Sequence, residues 1–167
     1  VLGGGQYRLT RILPRTSALR RPSRRGSGDA LLAANADFVL AVCADPSLLR
    51  AFALPEWALE AARAAGLPAG LFVSHWDRLA PEEGDALARR LEPLRAELDS
   101  LAWGSALEPP AGLLPALRGK SVAVLGGPGC GKTALIQRLA GVQAPLRPTT
   151  AVSLSQGPDG TLWLDPP

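Results

Sequence analysis

The chain of 167 residues is long enough to bury the core of one full domain, and it is too short for a multidomain machine. Hydrophobic residues make up 47% of it and charged residues 20%, a mixture typical of a folded globular protein, which excludes a disordered tail or a fibrous repeat. No apolar run approaches the ~18 residues that a membrane-spanning helix needs, so we expect no membrane association. The sequence begins at Val1 and contains no methionine, and we expect it to be a fragment.

The charge is unevenly distributed along the chain. The net charge is +3, yet seven arginines precede the first acidic residue, Asp29, and the sequence after it is net acidic. A basic segment of this kind is typical of a surface that binds RNA, and equally of a solvated, arginine-rich linker. The two cysteines, Cys43 and Cys130, are too far apart for a Cys-x-x-Cys metal site or a disulfide framework. This spacing favours a reducing, cytoplasmic location.

The first elements predict a domain boundary near the start of the chain. Residues 6–13 alternate polar and apolar side chains before Pro14, which predicts the last strand of a preceding domain. Residues 15–28 are rich in Arg, Ser, Gly and Pro, and this composition predicts a connector. We therefore expect residues 1–25 to be the remnant of one domain with its basic linker, and residues 26–167 to form a second domain.

In the second domain, apolar strands alternate with amphipathic helices. The strand patterns lie at 37–43, 69–74, 101–103 and 121–125, followed by a hairpin at 151–155 and 161–165. The helical patterns lie at 47–65, 81–98 and 133–139. Pro93 is expected to break the second helix and Gly141 to end the third. This alternation predicts an α/β fold with a mostly parallel sheet and flanking helices.

Residues 126–133 match the phosphate-binding pattern G-x-x-x-x-G-K-[ST]. Glycines in such a loop let backbone N–H groups turn toward a polyphosphate, and the following helix directs its positive end at the same charge. Lys132 is expected to reach the β- and γ-phosphates as a catalytic residue, and Thr133 to bind Mg²⁺ through its hydroxyl. The predicted nucleotide contacts here are Gly126, Gly127, Pro128, Gly129, Cys130, Gly131, Lys132, Thr133 and Ala134.

The position of this motif in the chain is unusual. In ordinary proteins of this class the motif follows the first strand, whereas here only 34 residues follow Thr133, so upstream strands must complete the sheet. This order implies a circular permutation. Upstream, Asp77 stands at a strand end, where a carboxylate can accept hydrogen bonds from guanine N1–H and its amino group, a pairing adenine cannot offer. Ser105 and Ala106 follow another strand and could support the guanine carbonyl oxygen through their backbone.

The order of these motifs resembles the circularly permuted ribosome small subunit-dependent GTPases, the RsgA/YjeQ family. Further matching segments lie at 12–15, 32–37, 43–46, 117–120 and 149–150. The resemblance covers nearly the whole chain. It implies that residues 1–25 are the tail of an OB-fold β-barrel and that residues 26–167 are a circularly permuted GTPase domain truncated at its C-terminus. The family's zinc-binding domain would lie beyond this sequence.

The resemblance also implies a function. It predicts a cytoplasmic, monomeric factor that binds GTP or GDP with Mg²⁺, hydrolyses GTP, and acts with the 30S ribosomal subunit and its rRNA in late maturation. Thr150 would be catalytic and would coordinate Mg²⁺ in the threonine switch, with an ordinary strand-entry threonine as the alternative. Asp165 would hold Mg²⁺ through water, with a capping acid as the alternative.

The sequence departs from the family pattern at the site itself. The family's Asn-Lys-x-Asp is replaced by Ser74, His75, Trp76 and Asp77, which we expect to contact the base. His75 either stacks on guanine in place of the lysine stem or is a partly exposed strand-end residue. Two prolines follow Asp165, so no Gln or His stands there to orient water, and intrinsic hydrolysis is expected to be slow. Two other functions remain open: a GTP-dependent binding module that does not hydrolyse the nucleotide, and a P-loop ATPase unrelated to ribosomes.

Overall fold

The computed structural model of the chain describes residues 11–12, 14–21, 29–44, 56–142 and 153–166. Most of the strand predicted at 6–13, the first part of the helix predicted at 47–65 and the threonine pair at 149–150 lie outside these residues. The boundary predicted between residues 25 and 26 also lies outside them.

The described residues form eight strands and four α-helices. The strands are β1 (Ala18–Arg21), β2 (Ala30–Ala34), β3 (Phe38–Cys43), β4 (Ala69–Val73), β5 (Ser100–Trp103), β6 (Ser121–Leu125), β7 (Ser153–Gln156) and β8 (Leu162–Asp165). The helices are α1 (Glu56–Ala64), α2 (Pro81–Leu91), α3 (Leu114–Leu117) and α4 (Lys132–Ala140). Short 3₁₀ turns lie at Trp76–Arg78, Glu92–Ala96 and Ala111–Leu113.

Six of the strands form one sheet in the order β5-β4-β3-β6-β8-β7. Every neighbouring pair is parallel except β7 and β8, which are the antiparallel arms of the predicted hairpin. The carboxyl ends of β3, β4, β5, β6 and β8 therefore lie at the same edge of the sheet. This architecture confirms the predicted α/β fold with a mostly parallel sheet.

The sheet is covered on both faces, and β3 shows this most clearly because all six of its residues are buried. Val39 and Ala41 belong to the core beneath α1 and α2, whereas Leu40 and Val42 belong to the core beneath α3 and α4. Burial on both faces explains why β3 is a continuous apolar run rather than an alternating one.

Most of the predicted elements are present where the sequence places them. The second helix gives way to the 3₁₀ turn Glu92–Ala96 at Pro93, and α4 ends at Gly141, whose φ of +67° is the left-handed conformation that a glycine adopts readily. Among the described residues, no helix combines the length and the apolar character needed to cross a bilayer.

The prediction of a connector at 15–28 is wrong in its first part, because β1 occupies Ala18–Arg21 and pairs antiparallel with β2. Leu19 is fully buried and anchors this strand in the core beneath α1. Asn35 holds the residues that precede β1, since its side-chain oxygen accepts a hydrogen bond of 2.8 Å from the backbone N–H of Thr16. Three of the strand's four residues are Ala or Arg, so its strand character depends on tertiary packing that the composition does not show.

The central position of β3 generates a stability prediction. Leu40→Ala removes a fully buried side chain and should lower the free energy of unfolding by about 2–5 kcal/mol, because a cavity remains in the core. Leu154→Ala is the matched control: this side chain on the edge strand β7 is exposed, and its loss should change stability by less than ~0.5 kcal/mol. Urea denaturation followed by circular dichroism measures both. Equal losses in the two variants would contradict the placement of β3 at the centre.

Candidate nucleotide-binding site

The residues predicted to bind a nucleotide lie on loops at the carboxyl edge of the sheet. The phosphate loop (residues 126–133) follows β6, the Asp77 loop (residues 74–77) follows β4, and the Ser105 loop (residues 104–106) follows β5. Asp165 is the last residue of β8 at the same edge. Because these strands are parallel, segments that are far apart in sequence converge on one end of the sheet, where open α/β sheets bind their ligands.

The phosphate loop turns sharply into α4. Gly129 and Gly131 have φ values of +75° and +87°, a region that side chains other than glycine rarely occupy, and Gly131 is the N-cap of the helix. The Lys132 ammonium donates to the carbonyl oxygens of Gly126 at 3.0 Å and Gly127 at 3.2 Å. The cation is thus folded back over its own loop, next to the N–H groups at the start of a helix, which is a ready site for an anion.

The phosphate loop also packs tightly against β3. A Cβ atom added at Gly126 would overlap the carbonyl oxygen of Val42 and would lie 2.8 Å from Cys130 Sγ. The neighbouring Gly127 has nothing within 4 Å of the equivalent position. The first glycine of the motif is therefore required for close packing, and the second faces open space.

Ser74 joins three segments of this edge. Its side chain is 2% exposed, and its N–H donates to the carbonyl of Cys43 at 2.8 Å. Its Oγ lies 2.6 Å from the carbonyl oxygen of Cys130 and 3.1 Å from that of Cys43. A hydroxyl has a single proton, and the shorter distance favours donation to Cys130. Ser74, predicted as a nucleotide contact, places its hydroxyl on the backbone of the phosphate loop.

Gly131 is the point where the three loops meet. A Cβ atom there would lie 3.3 Å from Ala106 Cβ, 3.6 Å from Ser74 Oγ and 3.8 Å from His75 Nε2. His75 is half-buried and has a φ of +56°, an uncommon value for a residue with a side chain. Asp77 follows two residues later, exposed in the 3₁₀ turn. The structure therefore brings both predicted base-reading segments into contact with the predicted phosphate loop.

The Asp77 loop and the Ser105 loop are linked directly as well. The backbone N–H of Trp76 donates to the carbonyl of Gly104 at 3.3 Å, and the backbone N–H of Gly104 donates to the carbonyl of Val73 at 3.0 Å. The Ser105 hydroxyl accepts a bond of 3.3 Å from the Leu107 N–H, which closes a small turn. Ala106 is buried beside the phosphate loop, whereas Leu107 is exposed.

Two of the predicted magnesium ligands are in contact. Thr133 Oγ1 donates to Asp165 Oδ2 at 3.2 Å, and Asp165 is 2% exposed. A hydroxyl and a carboxylate are the hard oxygen donors that Mg²⁺ prefers. The third predicted ligand, Thr150, lies outside the described residues. Within the described part of the chain, no group of three or more His, Cys, Asp or Glu side chains is placed to hold a metal ion.

Two buried thiols flank this junction. Burial, with a smaller contribution from neighbouring Cys130, raises the pKa of the Cys43 thiol from 9.0 to about 12. Burial also raises the pKa of Cys130, although Lys132 opposes the shift. Both groups therefore remain protonated at neutral pH and act as small apolar side chains rather than nucleophiles.

Sequence reasoning missed the support that β3 gives to the site. The carbonyl oxygen of Val42 limits Gly126, and that of Cys43 accepts the hydrogen bond from the Ser74 N–H. Both are backbone atoms, so no residue type marks them in the sequence. The only available signal is the continuous apolar run of β3, and using it requires knowing that β3 lies between β4 and β6.

Comparison with known proteins supports the fold. No protein-family model matches the chain, and no curated protein sequence matches it. The structure of YjeQ from Thermotoga maritima matches with a TM-score of 0.66 and 20% identity over 94% of this chain and 54% of that chain. The structure of YloQ, described as a circularly permuted GTPase, matches with a TM-score of 0.56 and 19% identity over 99% of this chain and 61% of that chain.

These matches confirm, at the level of the fold, the resemblance that the order of the sequence motifs indicates. The chain has the circularly permuted α/β fold of the two structures, and it spans between 54% and 61% of their lengths. The permuted order inferred from the late position of the phosphate loop is therefore correct.

The packing of the phosphate loop generates a test with a built-in control. Gly126→Ala should lower the free energy of unfolding by about 1–3 kcal/mol, because its Cβ overlaps the backbone of β3. Gly127→Ala adds the same methyl group to open space and should change stability by less than ~0.5 kcal/mol. Chemical denaturation of the two variants distinguishes them. A Gly127→Ala variant less stable than Gly126→Ala would contradict the close contact between Gly126 and β3.

Proposed function

We propose that this chain is the GTP-binding and GTP-hydrolysing region of a factor of the RsgA/YjeQ type, which acts in late maturation of the 30S ribosomal subunit. The observation that carries the proposal is the meeting of the phosphate loop with the Asp77 and Ser105 loops at Gly131. One nucleotide spans a phosphate site and a base site, so the segments that form the two must adjoin, and the contact of these three loops supports the proposal.

The phosphate end of the nucleotide would be bound by backbone N–H groups of the phosphate loop and by the positive end of α4. Lys132 would exchange the carbonyl oxygens of Gly126 and Gly127 for the β- and γ-phosphates. Its present contacts keep the ammonium at the loop, so it has only a short distance to move. Phosphoryl transfer depends mainly on such positioning and on neutralising charge.

The base end would be read by two loops. The exposed Asp77 carboxylate would accept hydrogen bonds from guanine N1–H and the amino group, and the backbone of Ser105 and Ala106 would donate to the carbonyl oxygen. His75 would stack on the base, because its half-buried ring lies beside the phosphate loop at Gly131. This position supports the stacking role over that of an unrelated strand-end residue.

Thr133 and Asp165 fit a magnesium site, since their oxygen atoms are already in contact beside the phosphate loop. Thr133 would bind the ion directly and Asp165 through water, with Thr150 as a further ligand in the bound state. When bound, Mg²⁺ would neutralise charge on the β- and γ-phosphate oxygens.

The proposed partner is the 30S subunit with its rRNA, and the proposed location is the cytoplasm. The support is the family resemblance together with the basic segment, whose Arg15, Arg20 and Arg21 are exposed in the described residues. Arginine side chains on a surface bind phosphate groups, and such binding weakens as salt concentration rises.

Guanine recognition makes a quantitative prediction. The chain should bind GTP about 100-fold more tightly than ATP, because two hydrogen bonds to a charged acceptor depend on guanine. Asp77→Asn should remove most of this preference by weakening GTP binding, while ATP binding stays the same. Asp85→Asn, which changes an exposed acid on α2, is the matched control and should bind both nucleotides like the wild type. Equal affinities of the wild type for GTP and ATP would favour a P-loop ATPase instead.

Hydrolysis is tested separately under single-turnover conditions. We expect slow turnover by the chain alone, because two prolines follow Asp165 where a water-orienting side chain would stand, and at least about tenfold faster turnover with 30S subunits. Lys132→Ala should abolish both nucleotide binding and turnover. Absence of hydrolysis with and without subunits, at normal GTP affinity, would instead show a binding module that does not hydrolyse GTP. A Lys132→Ala variant that binds GTP normally would contradict the proposed phosphate site.

A further inference from the structure

We propose that the stacked pair of Trp76 and Trp103 positions the two loops that read guanine, so that both indoles are specificity-determining positioning residues. This inference rests on the proposed function and adds to it, because the sequence predicts only a base contact for Trp76 and no role for Trp103. Their effect would be on the geometry between the Asp77 carboxylate and the backbone of the Ser105 loop.

The two indoles connect these loops at their bases. Trp76 immediately precedes Asp77, and Trp103 is the last residue of β5, directly before the Ser105 loop. The ring centroids are 5.1 Å apart and the ring planes are inclined by 22°, which is a stacked arrangement. Aromatic pairs at this distance attract each other beyond the effect of burial alone.

The backbone joins the two loops firmly only where they leave their strands. There the Gly104 N–H donates to the carbonyl of Val73, the last residue of β4, at 3.0 Å. The hydrogen bond from the Trp76 N–H to the Gly104 carbonyl is 3.3 Å long, beyond the 2.7–3.2 Å range of a good bond. Ser74 fixes the start of the Asp77 loop to the phosphate loop, but Asp77 itself follows His75, whose left-handed backbone redirects the chain. The Trp76 indole, stacked on Trp103, would therefore help to set the direction of the 3₁₀ turn that carries Asp77.

Neighbouring elements hold the stack from outside. The Arg95 guanidinium lies 5.9 Å from the Trp103 ring centroid, a cation–π contact, and it is oriented by Glu92 at 2.8 Å. The Trp76 indole lies close to Gly84 of α2, where an added Cβ would be 3.3 Å from its Nε1. The glycine leaves room for the indole against the helix. The pair is therefore a built contact between the loops rather than two exposed rings that meet by chance.

Guanine presents its N1–H and amino group on one side of its edge and its carbonyl oxygen on the other. The Asp77 loop would bind the first and the Ser105 loop the second, so the spacing of the loops sets the fit to guanine. Loss of the stack should thus weaken binding of the base more than binding at the phosphate site. The hydrogen bond from Ser74 to Cys130 and the packing of Gly126 against Val42 involve neither indole.

The experiment compares the affinity for GTP, ATP and inorganic tripolyphosphate in the wild type and three variants. Trp103→Ala should weaken GTP binding about tenfold and leave tripolyphosphate binding within about twofold. Trp103→Phe keeps an aromatic ring and should retain GTP affinity within about threefold. Trp57→Ala is the matched control, because it removes another half-buried indole. Trp57 lies on α1, where its ring contacts Arg21 of β1, and its loss should leave all three affinities unchanged. Circular dichroism reports loss of the coupled indole signal in Trp103→Ala.

The outcomes separate this inference from the proposed function. If the wild type binds GTP and ATP equally, the guanine site is wrong and the inference fails with it. If the wild type prefers GTP and Trp103→Ala keeps that preference, the inference alone is wrong. If Trp103→Ala loses GTP affinity and tripolyphosphate affinity equally, Trp103 supports the whole structure rather than the base-reading loops, and the inference is overturned.

Discussion

The hydrogen bond between Ser74 and the Cys130 carbonyl is the contact on which the candidate site depends. It joins the loop after β4 to the loop after β6, although β3 lies between those strands. The bond is possible because the Ser74 hydroxyl is buried at the end of β3, where the Cys43 carbonyl also approaches it. A buried bond between neutral groups is costly to break without a replacement, so the two loops keep a fixed relation. The proposed base and phosphate sites are adjacent for this reason.

The same contact gives a physical meaning to the departure from the Asn-Lys-x-Asp pattern. Serine is shorter than asparagine, yet its hydroxyl reaches the phosphate loop directly. Histidine replaces a flexible lysine stem with a flat ring beside Gly131. Asp77, the residue that would distinguish guanine from adenine, is retained. In this chain the loops are therefore joined by a hydroxyl and an imidazole in place of the amide and the lysine stem of that pattern. The Trp76–Trp103 stack adds a connection between the Asp77 loop and the end of β5.

The sequence predicts the parts of this protein that local patterns encode. The apolar run of β3 and the break at Pro93 each reflect a rule that acts over a few residues, and both are confirmed. The glycine pattern at 126–133 likewise forms a tight turn, with positive φ values at Gly129 and Gly131, and its binding of phosphate stays a prediction. The strand β1 was missed, because Leu19 is its only large apolar residue and its pairing with β2 is a long-range contact. The support that the Val42 and Cys43 carbonyls give to the site could not be predicted, since it follows from strand order and from backbone atoms that every residue possesses.

A crystal structure of the chain bound to GDP and Mg²⁺ tests most directly whether one nucleotide bridges these loops. The account predicts phosphates against the N–H groups of residues 126–133 and guanine N1 and its amino group within about 3.2 Å of the Asp77 carboxylate. Phosphates bound at that loop with the base directed away from Asp77 would contradict it.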